Sequence, residues 1–234
     1  MERQLDYDLL NRHAKSERTE FYKNTYKHVA IAVLCFVLLE LIMFQTGIAK
    51  SIAKVLLGGR WTWMIVLGAF MFVSNIANNW AQNSTSRKKQ YYGLALYTFG
   101  EAIIFVPLLY MASIYAPKAI EQAAILSIAL FAGLSAIVLT TKQDFSFMRS
   151  IISIGSMIAL GLIVAGMIFG FDLGLFFSGF MVALAAGSIL YQTSNLVHQY
   201  HSSQYVAAAL GLFASLMLLF WYILQILLRL ASND

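Results

Sequence analysis

The chain is short of charge, short of cysteine and short of catalytic signatures. Only 12% of its 234 residues are charged, about half the share a soluble globular domain carries. A core of that size cannot hide a chain that is 60% apolar, so lipid is the solvent for most of it. The single cysteine, Cys35, excludes an internal disulfide and removes any argument for an oxidising compartment. The early apolar core of a secretory signal is also missing, since the first 25 or so residues are polar and of mixed charge. The first membrane helix is therefore expected to stay as an uncleaved anchor. There is no HExxH, no GxSxG, no phosphate-binding glycine loop and no acid pair of the intramembrane-protease kind, so nothing points to an enzyme.

What is present is a series of apolar runs. A membrane helix needs about 20 apolar residues, and seven such runs can be read, at roughly 27–47, 61–80, 92–114, 121–140, 148–170, 173–193 and 205–230. Polar segments such as "AKSIAKVLLGGR" and "AQNSTSRKKQ" punctuate them; the weakest break is at Phe171–Asp172. The expected organisation is an all-α membrane protein: a cytoplasmic tail over 1–26, one seven-helix domain over 27–230 and a short tail over 231–234.

The net charge of +5 raises the question of nucleic acid, but the basic residues flank apolar spans and no basic stripe alternates with aromatics. Nucleic-acid binding is excluded on that ground, and the lipid bilayer is the expected partner. Eleven of the sixteen Lys and Arg residues fall on the side that holds the N-terminal tail. The excess of positive charge on cytoplasmic loops then places the N-terminus in the cytoplasm. Within the tail, Leu5, Tyr7, Leu9 and Leu10 form a short apolar patch beside charges, as in an amphipathic surface helix. Small residues at spacing four, Gly166, Gly170 and Gly174 and then Ala183 and Gly187, predict close helix packing inside one bundle.

Two acids lie at membrane depth, Glu40 in the first run and Glu101 in the third. Such groups are costly and face the bundle interior or water. Each reads either as a cation contact or proton-titrating group, or as a hydrogen-bonded carboxyl without a role in flux. Pro107, six residues after Glu101, removes a backbone N–H and is expected to kink the helix and open space beside it. His198 and His201 are spaced by three and would share a face and a metal if helical, but they have no third ligand nearby and read as polar loop, so neither a metal nor any other cofactor is expected. A further feature is a polar cluster, Gln192 to Asn195, closing the sixth run without a charge.

Four segments together carry a family resemblance: "KNTY" (Lys23–Tyr26), "YTFGEAIIFVPLL" (Tyr97–Leu109), "LTTKQDFSF" (Leu139–Phe147) and "GSILYQTSNLVH" (Gly187–His198). In order and spacing the chain resembles the Bax inhibitor-1 family over nearly its whole length, and its bacterial YccA-like branch in particular. The resemblance implies a seven-helix bundle with the last helix near the centre, in a bacterial inner membrane. It implies a role in membrane-protein quality control through a membrane-anchored AAA protease of the FtsH type, which could engage the N-terminal tail if it is flexible. The alternative it implies is a leak for calcium or another cation. Many members carry an acid pair, one acid on the sixth helix and one on the seventh, implicated in pH-sensitive calcium leak; two carboxylates that close share protons and titrate together. Here Gln192 and Ser215 stand at those two positions, and neither titrates. The proton-controlled latch therefore does not carry over. The two residues are expected to hydrogen-bond each other across the bundle instead, which leaves Glu101 as the remaining candidate for any carboxylate gate.

Overall fold

A computed structural model describes residues 2–83 and 86–232, with side chains from residue 15 onward except at position 60. The described residues form eight α-helices and no strand. They are α1 (Glu2–Gln45), α2 (Ile48–Leu56), α3 (Arg60–Ala81), α4 (Arg87–Tyr115), α5 (Pro117–Thr141), α6 (Met148–Phe169), α7 (Gly174–His198) and α8 (Tyr205–Ala231). All but α2 are long and apolar enough to cross a membrane, which makes seven spans. In lipid every backbone N–H and C=O must be satisfied within the protein, and a helix does this within its own segment.

Burial follows the expected centre. The last helix, α8, is the one most enclosed by its neighbours, with 78% of its most apolar window buried, against 6% for α3 and 11% for α6. It packs on α7, α1, α5, α4 and α3. Its core residues include Leu212, Phe213, Leu219 and Leu224, all without exposure. Because lipid is as apolar as leucine, what holds α8 at the centre is close packing and interhelical polar contacts rather than the hydrophobic effect.

Three local features depart from the sequence reading. The segment "AKSIAKVLLGGR" is not plain punctuation: its first part lies in α2, whose Ala49 and Ala53 are buried against Val106 of α4 while Lys50 and Lys54 stay exposed. Nine residues are too short to register as a membrane run, so the small-residue face was the only signal. Secondly, α1 continues without a break from the tail into the first span; the side chains of Leu5, Tyr7, Leu9 and Leu10 lie outside the described ones. Thirdly, Gly170 and Gly174 do not extend a packing stripe. Both adopt positive φ, 78° and 71°, and make the turn between α6 and α7, a conformation that costs a residue with a Cβ. Gly187 does serve packing, since a Cβ there would meet the Met148 methyl at 2.8 Å.

Candidate functional site

Two of the motif segments meet at one end of the bundle. Ser194 on α7 accepts a hydrogen bond from the Phe145 amide (2.9 Å) and donates to the Asp144 carboxylate (3.3 Å). Asp144 also accepts from the Ser146 amide at 2.8 Å and from the Ser146 hydroxyl. These bonds, the Ser146 hydroxyl foremost, hold the exposed Asp144 carboxyl below its usual range. His198 reaches the Lys142 carbonyl at 3.2 Å, and Ser135 of α5 lies 3.5 Å from Thr193. The segments "LTTKQDFSF" and "GSILYQTSNLVH" are thus each other's partners.

Arg18 of α1 completes this end. Its guanidinium donates to the carbonyls of Val197, in the last turn of α7, and Tyr200, just beyond the helix, and lies over the rings of Phe21 and Tyr22. A cation there also complements the negative end of the helix dipole. Thr193 and Ser194 have no exposed surface. The polar cluster Gln192 to Asn195 is therefore not a frayed helix end, because α7 runs on to His198. Thr193 and Ser194 fasten a loop and close the bundle. Sequence reasoning singled out the cluster and missed Arg18, whose partners are backbone carbonyls about 180 residues away.

Gln192 points elsewhere, into a cavity of about 780 Å³. On α7 its lining runs from Gly174 to Gln192, and on α8 from Leu210 to Arg229. At 1.5 Å per residue each stretch is roughly 27–29 Å, close to the thickness of a bilayer's hydrocarbon core. Gln192, Glu101 and Asn78 line its deep part, and the opposite end is lined by Asp172 and Arg229. There the two side chains form a bidentate ion pair, both contacts 2.7 Å, with 37% and 69% of the Arg and Asp side chains exposed. Arg229 and the Gly174 amide hold the Asp172 carboxyl down at about 2.

The expected Gln192–Ser215 hydrogen bond is not made. Both residues line the same cavity on facing helices, but Ser215 bonds Ser188 at 2.8 Å and the Gly211 carbonyl at 2.9 Å. The carboxamide of Gln192 lies instead flat against Gly211, where a Cβ would come within 2.7 Å of its oxygen. The register explains the difference. Ser188 stands one turn before Gln192 on α7, and Gly211 one turn before Ser215 on α8, so the antiparallel helices pair 188 with 215 and 192 with 211.

The two membrane acids are separated. Glu101 is 6% exposed, lines the cavity and has the Tyr97 hydroxyl beside it one turn earlier on α4. Glu40 is equally buried on the core face of α1, does not line that cavity, and neither of its oxygens has a hydrogen-bond partner among the described residues. Phe105, one turn after Glu101 on α4, lines the cavity and packs edge-on against Phe36, one turn before Glu40 on α1. Pro107 sits inside an unbroken α4 and lines a second cavity of about 320 Å³. The stacked pair Trp63 and Trp221 (6.2 Å, 16°) lines both.

Comparison with known families fits this architecture. The family model for the inhibitor of apoptosis-promoting Bax1 matches residues 18–233. The chain belongs to the Bax inhibitor-1 family. An uncharacterised membrane protein of Vibrio cholerae is 26% identical over 219 residues, covering 93% of both chains. Bax inhibitor 1 of Schizosaccharomyces pombe is 29% identical over 142 residues, 58% of this chain and 49% of that protein. YccA of Escherichia coli K12, described as a modulator of the FtsH protease, is 35% identical over 101 residues, 43% of this chain and 45% of its own length. YccA of another E. coli strain is described as an inner membrane protein. The chain is thus a multi-pass membrane protein of this family.

Proposed function

We propose that the protein modulates membrane-protein quality control by binding a membrane-anchored AAA protease of the FtsH type, with its N-terminus in the cytoplasm of a bacterium. The observation that carries this reading is the likeness to E. coli YccA, described as a modulator of that protease. The fold lends support. At 1.5 Å per residue the 44-residue α1 is roughly 66 Å long if straight, against a hydrocarbon core of about 30 Å, so a long helical arm extends past the motif end. Such an arm is a handle that a protease could grip or that could dock on it. The protein is expected to co-purify with the protease in detergent and, when overproduced, to slow turnover of the protease's other membrane substrates. Normal turnover together with no association would defeat the reading.

A second reading, a cation leak, is favoured by one feature: the cavity that runs most of the membrane depth to Glu101. It predicts calcium flux into liposomes carrying pure protein, reduced by Glu101→Gln. With Gln192 and Ser215 at the acid-pair positions, that flux should lack a steep acid dependence.

A further inference from the structure

The charge inventory of the large cavity is uneven. Among the described residues its acids are Glu101 and Asp172 and its one base is Arg229. Asp172 and Arg229 neutralise each other at the exposed end. Glu101 remains, buried, with no base paired to it among the described residues. One turn further along α4 stands Phe105, edge-on to Trp221 at 4.9 Å, and Trp221 stacks on Trp63. Phe177 and Tyr222 add an edge-on pair (6.0 Å) on the other side. The cavity lining therefore brings together one carboxyl group without a base and the aromatic rings of Trp63, Phe105, Phe177, Trp221 and Tyr222. Aromatic faces attract cations, and more strongly when both partners are desolvated. At about 780 Å³ it is also of the size that holds a drug-sized molecule.

We infer that this cavity binds a lipophilic organic cation, a bulky phosphonium, quaternary ammonium or protonated amine. The charge pairs with Glu101, and the apolar body lies against Trp63, Phe105 and Trp221. A small hydrated metal ion would leave the aromatic walls unused. A neutral molecule would leave Glu101 without a counter-charge, and an organic anion would face it directly. Gln192, with its carboxamide on the cavity wall, supplies a hydrogen-bond acceptor but no second charge.

The test uses full-length protein in nanodiscs and two ions of the same shape, tetraphenylphosphonium and tetraphenylborate, with empty nanodiscs as the baseline. With Trp61 and Trp80 replaced by Phe, the two remaining tryptophans, Trp63 and Trp221, report occupancy through quenching of their fluorescence. The expected result is saturable quenching by the phosphonium and at least tenfold weaker quenching by the borate. Glu101→Gln should weaken phosphonium binding at least tenfold, and Glu101→Asp should recover most of it. Glu40→Gln, outside the cavity, should leave it unchanged. Gln192→Glu adds an acid on the cavity wall and should tighten binding several-fold, a gain that misfolding cannot imitate. Equal binding of the two ions, or phosphonium binding unaltered by Glu101→Gln and Gln192→Glu, would overturn the inference. No protease takes part, so the outcome is independent of the modulator reading.

Discussion

The two ends of the bundle are built differently. At the motif end, Arg18, Asp144, Ser194 and His198 tie α1, the α5–α6 loop and α7 together, and the residues behind them are buried. At the other end one exposed ion pair, Asp172 with Arg229, sits at the rim of a cavity that reaches deep into the membrane. The difference teaches that polarity in this chain has two uses. At the first end the polar groups satisfy one another and close the bundle. In the cavity lining, Gln192 lies against Gly211 and Glu101 beside the Tyr97 hydroxyl, and neither is tied to a charged partner among the described residues.

If that contrast is right, the closed end should be the costlier one to damage. Arg18→Ala removes a charged donor from the Val197 and Tyr200 carbonyls and a stack on two rings, and should destabilise the protein by about 2 kcal/mol, read as a lowered Tm in detergent. Ser194→Ala strips the Phe145 amide of its acceptor and Asp144 of a donor, and should cost about 1–2 kcal/mol in the same assay. Asp172→Asn at the open end breaks only an exposed pair and should cost a few tenths to about 1 kcal/mol. An Asp172→Asn loss larger than that of Arg18→Ala would reverse the contrast.

The smallest effect is in pH. The Asp172 carboxyl is held down from 3.8 to about 2 in the folded state. A depressed carboxyl stabilises the fold above its unfolded value and loses that contribution as pH falls through the folded one. The contribution should be constant from pH 5 to 9 and vanish between about pH 4 and 2, and Asp172→Asn should abolish that dependence in a Tm series.

Much of the bundle was legible in the sequence, because a lipid solvent demands long apolar runs and seven are present. The family followed from motif order. What was not legible is register. Gln192 and Ser215 occupy the acid-pair positions, yet the antiparallel stagger of α7 and α8 gives Ser215 to Ser188 and leaves Gln192 on Gly211. Nor does a run of letters reveal that of the two buried acids, Glu40 and Glu101, only Glu101 lines the cavity. Arg18 was hidden because backbone carbonyls have no letter of their own. Helix α2 was hidden because it crosses nothing.

The central claim is that the cavity opens at the Asp172 end and is closed at the motif end. Ser188 lines it and lies 2.8 Å from Ser215, roughly 21 Å along α7 from Gly174. The direct measurement is thiol labelling of Ser188→Cys in a Cys35→Ser background, with a small impermeant maleimide added to oriented vesicles from one side and then the other. Labelling from the side bearing the α6–α7 turn alone is the predicted result. Labelling from the side bearing Ser194 and Arg18 would contradict the account and favour a through-going pore.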